Sequence, residues 1–281
     1  MTDEQNRGEE RSILGRDQPQ TVDSLAADLR AVGVTKGMTL LVHSSLSAIG
    51  WVSGGPVAVI LALEEALGPS GTLVMPAHSG GLSDPAGWSN PPVPQAWWET
   101  IRDTMPAFVA DLTPTRRVGT IPETFRKQAG VLRSHHPTVS FCAWGRNADM
   151  VTRDHSLAFS LGEGSPLARI YDLDGSILLL GVGHANNTSL HLSENRASHP
   201  GRRVVLEGSP LMVDGERRWQ RYEDVNFDDS DFPEVGAAFD AAMGLTPGRI
   251  GHAESRLMSQ RALVDFGTAW ITANRAARPE R

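Results

Sequence analysis

Polar residues that could carry acid–base chemistry are concentrated in residues 183–194, which read GHANNTSLHLSE. Thr188 and His191 are three positions apart, so on a helix their side chains share one face. An imidazole can take a proton at neutral pH because its unperturbed pKa is about 6.5, and a threonine hydroxyl can hydrogen-bond a substrate carbonyl. The segment predicts His191 as a general base with Thr188 beside it, although a single helical histidine is equally compatible with a structural role.

A second polar segment, HSSLS at residues 43–47, is followed by the glycines of GWVSGG at residues 50–55. Backbone N–H groups of such a loop, together with a helix N-terminus, can bind an anion. The segment lacks the Gly-Lys-Ser/Thr of a nucleotide P-loop and the three-glycine dinucleotide motif, so neither nucleotide site is predicted. It also lacks the Gly-x-Ser-x-Gly elbow of a serine hydrolase, and a serine at a strand end commonly caps the next helix.

Residues 116–122 (RRVGTIP) and 134–141 (SHHPTVSF) form a third candidate region. Arg116 and Arg117 could contact phosphates, and the extended stretches could pair with an elongated, amide-bearing ligand, although arginines beside a turn are usually only solvated. The histidines and acids of the chain are numerous enough for a metal site, but there is no HExxH pattern and no cysteine pair. No metal site is predicted.

The elements that would position these residues follow from hydrophobic patterning. An apolar stretch at residues 39–42, the glycine loop, a helix over residues 56–67 and a second apolar stretch at residues 72–75 form a β-α-β unit. This unit predicts an α/β fold with a central, largely parallel sheet flanked by helices. Residues 176–183 (SILLLGVG) predict a further central strand. Ligands bind at the carboxyl edge of such sheets, which is where residues 183–194 begin.

The other patterns predict a helix over residues 21–32, a hairpin over residues 202–222 that turns at Asp214-Gly215, and helices over residues 232–242 and 253–275. Asn187 or Thr188 could cap the helix that starts at residue 189. Residues 77–122 form an irregular arm rich in proline and tryptophan, with one short helix near residues 97–104. An irregular segment of this length is usually functional. We expect residues 1–20 to be a disordered tail and residues 21–281 to be a single domain.

Composition limits the possible functions. The net charge is −7, from 26 basic and 33 acidic residues, which argues against a nucleic-acid partner and is compatible with steering a polycation. Five acidic residues cluster within residues 223–231. Cys142 is the only cysteine, which excludes an internal disulfide and fits a reducing, cytoplasmic compartment. No stretch approaches the roughly 20 apolar residues that a membrane span needs, so no membrane association is predicted.

The sequence resembles the aminoglycoside 3-N-acetyltransferases, an antibiotic acetyltransferase family with a fold distinct from the GNAT superfamily. The resemblance runs over residues 40–266. It is carried by several motifs in the same order: VHSSL (42–46), GG (54–55), GTLVMP (71–76), GTIP (119–122), SHHP (134–137), GEGSP (162–166) and LGVGH (180–184) through His191.

This resemblance implies acetyl-CoA as cosubstrate and no metal. It implies that CoA is bound by His43, Ser44, Ser45, Leu46, Ser47, Val52, Gly119, Thr120, Ile121, Ser134, His136, Ser140 and Phe141. It further implies that His191 is the catalytic base, that Thr188 lies beside the thioester, and that a downstream carboxylate, Asp224 by slight preference or Glu223, partners His191.

The acceptor implied is a cationic aminoglycoside, modified at its 3-amino group by direct attack without an acetyl-enzyme. The arm of residues 77–122 and the acidic stretch are expected to bind it through Asp84, Trp98, Glu99, Asp111, Glu223 and Asp228. Two alternatives remain open: an acetyltransferase of the same fold that acts on another amine, and a non-catalytic protein that binds CoA or aminoglycosides. We expect a monomer or a homodimer.

Overall fold

A seven-stranded sheet forms the centre of the protein in the computed structural model, which describes residue 10, residues 13–14 and residues 18–275. The strands in chain order are β1 (Thr39–Ser44), β2 (Thr72–Pro76), β3 (Leu132–Arg133), β4 (Phe141–Gly145), β5 (Ser176–Leu180), β6 (Val204–Val213), β7 (Glu216–Val225), β8 (Gly248–Ile250) and β9 (Ala253–Ser259). The order across the sheet is β3-β4-β2-β1-β5-β9-β8, and β6 and β7 form a separate hairpin.

Strands β2, β1 and β5 lie side by side and parallel in the middle of the sheet. Strands β4 and β9 run opposite to the rest of the sheet. Short connections precede both of them, and a short connection can join only antiparallel neighbours. The predicted α/β class with a central sheet flanked by helices is confirmed, and its adjacent parallel strands are the ones that the β-α-β pattern identified.

Helices cover both faces of this sheet. In chain order, the helices of the protein are α1 (Val22–Ala31), α2 (Leu46–Ile49), α3 (Gly55–Leu67), α4 (Trp98–Thr104), α5 (Thr120–Phe125), α6 (Ala148–Thr152), α7 (Pro166–Asp172), α8 (Ser189–Arg196), α9 (Phe232–Met243) and α10 (Gln260–Asn274). Because successive side chains of a strand point to opposite faces, Leu40 and Val42 pack beneath α1 and α3, whereas Leu41 packs on the side of α6 and α7. No helix in the described part of the chain is both long and apolar enough to cross a bilayer.

Local sequence signals account for several element boundaries. Thr21 and Ser24 form a reciprocal capping box at the start of α1, as the predicted helix over residues 21–32 requires. The hairpin β6–β7 turns at Asp214 and Gly215, which have φ angles of 51° and 80°. Positive φ at both central positions is typical of the turns that suit hairpin twist. The predicted tail of residues 1–20 lies mostly outside the described residues, and Gln20 bridges to Val52.

The predicted single helix over residues 253–275 is wrong in its first third. Residues 253–259 form β9, which pairs with β5, and α10 starts at Gln260 after Ser259 caps it. The side chains of β9 alternate between buried and more exposed for much of its length. This period of two is typical of a strand, and pairing with the central strand β5 stabilises a strand here in preference to a helix. The short strand β8, which pairs with β9, was not predicted.

The arm of residues 77–122 contains the predicted short helix, α4, and packs on the β6–β7 hairpin. The backbone N–H of Phe108 donates to the carbonyl of Pro210 at 3.1 Å. The Arg217 guanidinium donates to the carbonyl oxygens of Met105 and Arg102. These contacts hold the arm and the hairpin together on one side of the sheet.

Candidate active site

The carboxyl edge of the sheet brings together two of the polar segments identified in the sequence. Ser44 at the end of β1 is in register with Leu180 at the end of β5, so residues 43–47 and the segment after residue 180 leave the sheet side by side. A cavity of about 680 Å³ opens there. Of the residues expected to bind CoA, nine line it: His43, Ser44, Ser45, Leu46, Ser47, Val52, Gly119, Thr120 and Ile121. Thr188 lines it as well.

Four other residues expected at the CoA site do not line this cavity. Ser134, His136, Ser140 and Phe141 are all fully buried. The Ser134 hydroxyl contacts Nδ1 of His155 at 2.9 Å and accepts from the N–H of Phe141. The Ser140 hydroxyl donates to the carbonyl of Ala77 at 2.8 Å. The structure places these residues inside the protein, where residues 155–160 and the start of the arm cover the β3–β4 connection, and the hydroxyls of Ser134 and Ser140 are hydrogen-bonded within the protein.

His191 lies on α8, one turn after Thr188, and its Nδ1 is 2.6 Å from Oε2 of Glu194. A carboxylate can only accept, so Nδ1 carries the proton and donates it. The ring packs between Phe227 and Phe232, with centroid distances of 4.7 and 4.8 Å. The side chain remains 17% exposed. His191 is therefore held in one orientation, and within the described part of the chain its Nε2 has no hydrogen-bond partner.

The carboxylate that contacts His191 is thus Glu194, and the expected pairing with Asp224 or Glu223 is corrected. The spacing of three residues on one helix is the signal in the sequence that could have identified Glu194. Glu194 is 1% exposed, and its second oxygen, Oε1, accepts from Nη1 of Arg275 and from the N–H of Asp228. These donors offset the free-energy cost of burying the negative charge of Glu194.

Asp224 is buried behind Ser160 and does not pair with the histidine. Its carboxylate accepts the Ser160 hydroxyl at 2.5 Å and the Val225 N–H at 2.8 Å. Burial raises the pKa of Asp224, while the hydrogen bonds from Ser160 and the charge of His191 act in the opposite direction. The side chain of Glu223 is exposed, and its carbonyl accepts from Phe159.

Two buried imidazoles, His43 and His78, line the cavity. Burial lowers the pKa of each to about 3, with a further contribution from the charge of His191. Among the described residues, neither Nε2 has a hydrogen-bond partner, and the hydroxyl of Ser44 has none either. Both imidazoles are neutral at physiological pH and leave unpaired polar atoms for a ligand.

The residues expected to bind the acceptor are dispersed. Asp84 pairs with Arg102 at 2.7 Å. Trp98 lies 5.8 Å from the Arg102 guanidinium. The remaining four, Glu99, Asp111, Glu223 and Asp228, are exposed. The Asp111 carbonyl accepts from Arg126, and the Asp228 backbone contacts Glu194 and Arg275.

Glu207, a half-buried residue on β6, was not among the predicted site residues. Burial raises its pKa, and the negative charges of Asp224 and Asp84 raise it further. Asp84, Glu207 and Asp224 are therefore close enough to interact electrostatically. Alternation along a predicted strand did not distinguish Glu207 from an ordinary solvent-facing residue.

A second cavity of about 530 Å³ adjoins the first. His78, Arg117 and Val118 line both, and Arg116 and Trp88 line the second. In the described part of the chain, no group of three or more His, Cys, Asp or Glu residues is arranged to hold a metal ion. Cys142 is buried, and burial raises the pKa of its thiol to about 12, which makes it a poor nucleophile.

Comparison with known proteins gives a consistent result. The family described as aminoglycoside 3-N-acetyltransferase matches residues 41–272. The chain is 46% identical to the SPbeta prophage-derived aminoglycoside N(3')-acetyltransferase-like protein YokD of Bacillus subtilis, covering 91% of this chain and 94% of that protein. The crystal structure of YokD superposes with a TM-score of 0.93, at 96% and 100% coverage.

Other relatives extend this similarity. Aminoglycoside N(3)-acetyltransferase VII of Streptomyces paromomycinus is 38% identical, with 94% of this chain and 96% of that protein covered. A structure of AAC-IIIb as a binary complex with CoASH superposes with a TM-score of 0.81 at 32% identity, covering 94% and 100% of the two chains. The family model matches most of the length of the chain, and two relatives are similar over almost all of it. This chain therefore belongs to the aminoglycoside 3-N-acetyltransferase family.

Proposed function

We propose that this protein transfers the acetyl group of acetyl-CoA to the 3-amino group of a cationic aminoglycoside, with His191 as general base. The proposal rests on the 2.6 Å contact between Nδ1 of His191 and Oε2 of Glu194. Thr188, one helical turn before His191, lines the 680 Å³ cavity. This arrangement supplies an oriented base next to a space for an acyl donor.

We propose that the acyl donor is acetyl-CoA and that it lies in the 680 Å³ cavity. The serine hydroxyls of residues 44–47 and the backbone of residues 119–121 offer donors along its length, and Arg117 offers a positive charge for phosphate. The relative AAC-IIIb, whose structure contains CoASH, supports this assignment. The single cysteine fits a reducing compartment, and we place the reaction in the cytoplasm.

In the proposed mechanism, Nε2 of His191 removes a proton from the acceptor ammonium, because only the free amine can attack a thioester. Glu194 keeps the proton of His191 on Nδ1 and stabilises the imidazolium that forms. The amine adds to the acetyl carbonyl, and the Thr188 hydroxyl is positioned to stabilise the oxyanion. The adduct loses its second N–H proton to solvent, the C–S bond breaks to leave the amide, and the CoA thiolate takes the first proton from His191.

Direct attack is favoured over an acetyl-enzyme because the candidate nucleophiles lack activation. The Cys142 thiol is buried and its pKa is high. Within the described residues the Ser44 hydroxyl has no hydrogen-bond partner, so no base is in place to deprotonate it.

A polycationic acceptor is favoured by the acidic residues around the site. Glu207 interacts electrostatically with Asp84 and with Asp224, and Asp224 in turn interacts with His191. The names of the matched relatives also refer to aminoglycosides.

The test is CoA release from acetyl-CoA with gentamicin, apramycin and a simple polyamine as acceptors, followed by NMR assignment of the acetylated nitrogen. We expect turnover with an aminoglycoside at its 3-amino group and loss of that turnover in His191→Ala. Turnover with only the polyamine would identify another acceptor. Binding without turnover in the wild type would show a binding protein, and full activity of His191→Ala would rule out its role as base.

A further inference from the structure

Arg275, which follows α10, is the last residue that the structure describes, and it lies against two acidic residues. Its Nη1 is 2.5 Å from Oε1 of Glu194. Its Nε and Nη2 contact the two carboxylate oxygens of Asp231 at 2.9 and 2.6 Å. Nη2 also donates to the carbonyl of Asp228 at 2.6 Å. The guanidinium therefore joins α8 to the start of α9 and the loop before it.

This cluster is withdrawn from solvent. Glu194 and Asp231 are each 1% exposed, and Arg275 is 9% exposed. Burial by itself lowers the pKa of Arg275, but hydrogen bonds to Asp231 and Glu194 raise it above its usual value. Arg275 is therefore always charged, and removing it leaves two buried carboxylates without their main counter-charge.

The two carboxylate oxygens of Glu194 have different hydrogen-bond partners. Oε1 accepts from Arg275 and from the N–H of Asp228, whereas Oε2 contacts Nδ1 of His191. Because Oε1 is fixed, the carboxylate cannot rotate away from the imidazole without losing the charge-assisted hydrogen bond to Arg275. We propose that Arg275 is a positioning residue that acts through Glu194 to hold His191 in the tautomer and orientation of a general base.

This inference rests on the proposed function, in which His191 is the base. Glu194, Asp231 and Arg275 together leave a surplus of one negative charge, which offsets the positive charge that His191 acquires during the reaction. Other charged or titratable groups near these residues are His43, His78 and Asp224, which interact with His191, and His199 and Arg202 on the side of Arg275.

The experiment compares three changes in the full chain: Arg275→Lys, Arg275→Met, and Arg275→Met combined with Asp231→Asn. The double variant removes one carboxylate together with its counter-charge, so the stability that Arg275→Met loses should be largely recovered. Arg261→Met is the matched control, since Arg261 lies on the same helix, roughly 20 Å away by helical rise, in an exposed pair with Asp174.

In Arg275→Met and in the double variant we expect kcat to fall on the order of 10- to 100-fold, because a small displacement of a catalytic group has effects of this size. KM for acetyl-CoA should not change. The low-pH limb of the kcat profile should move to higher pH, since a positive charge near the imidazole is gone. Arg275→Lys keeps the charge but not the bidentate geometry. The low-pH limb of its kcat profile should therefore stay in place, and its kcat should fall less than that of Arg275→Met.

Recovery of wild-type kcat in the double variant along with its stability would show a purely structural role and overturn the inference. So would an unchanged pH profile in Arg275→Met. Nitrogen NMR of His191 provides a readout that does not need turnover: we expect the Nδ1–H tautomer to be lost or mixed in Arg275→Met and kept in Arg261→Met. An inactive wild type would contradict the proposed function, and the tautomer measurement would still test Arg275.

Discussion

Oε2 of Glu194 lies 2.6 Å from Nδ1 of His191, one helical turn away on the same helix. Two residues of one helix can hold this geometry without a long-range contact, but the carboxylate is almost completely buried and needs further donors. Those donors come from the loop before α9 and from the end of α10. The proposed base and its carboxylate partner are therefore close together in sequence, whereas the groups that donate hydrogen bonds to the carboxylate come from distant parts of the chain.

Replacing either member of this pair should reduce kcat more than it changes KM. General-base catalysis is worth on the order of 100- to 10,000-fold, so His191→Ala should lose about that factor, and Glu194→Gln should lose part of it. Steady-state kinetics with acetyl-CoA and an aminoglycoside measure both effects. Glu163→Gln is the control, because Glu163 pairs with Arg196 at the exposed surface. A kcat of Glu194→Gln equal to that of the control would contradict the assignment.

Ser45 and Ser134 should respond in opposite ways to replacement by alanine. Ser45 lines the cavity, so Ser45→Ala should weaken CoA binding and leave stability nearly unchanged. Ser134 is buried between His155 and the Phe141 N–H, so Ser134→Ala should cost about 1–3 kcal/mol of unfolding free energy and leave the CoA Kd unchanged. Calorimetric titration and denaturant unfolding measure the two quantities. Weaker CoA binding by Ser134→Ala alone would restore the original expectation for that residue.

Glu207→Gln should raise KM for a cationic acceptor without raising KM for acetyl-CoA. The half-buried carboxylate faces two other acids, and a bound ammonium would relieve their mutual repulsion. A tenfold rise in acceptor KM would correspond to about 1.4 kcal/mol. Glu216→Gln, at the exposed tip of the same hairpin, is the matched control. Equal effects of the two variants would indicate general charge steering and exclude a specific contact.

Unfolding stability should fall as the pH drops from about 6.5 toward 4. Burial lowers the pKa of His43, His78 and His155 to about 3 and that of His136 to about 4. Below pH 6.5 the unfolded chain takes up protons that the folded protein does not, so protonation favours unfolding. The stability contributed by neutral burial is thus complete above pH 6.5 and is lost toward pH 3.

The slope of Tm against pH in this window checks the prediction. His78→Gln should give a shallower slope, because one group with a lowered pKa is removed. His135→Gln serves as the control, since His135 is exposed. A slope in His78→Gln as steep as in the control would show that folding does not lower the pKa of His78 and would contradict the prediction.

The sequence alone determined the α/β class, the β1–α3–β2 unit, the turn of the hairpin and the position of His191 and Thr188 after a central strand. These features depend on local periodicity, turn chemistry and strand ends, which neighbouring residues specify. The resemblance to a known family extended this to the reaction, and the family membership is confirmed.

Only the tertiary structure decided which charged groups meet. Arg275 is 81 residues from Glu194 along the chain, and no periodic pattern predicts their pairing. Residues 253–259 form a strand because an unpaired edge of β5 is available, although their pattern also suits a helix. Ser134 and Ser140 carry the same hydroxyl as Ser45, and packing by distant segments alone separates the buried serines from the one that lines the cavity. Contacts between distant segments depend on the whole chain, and local sequence does not contain them.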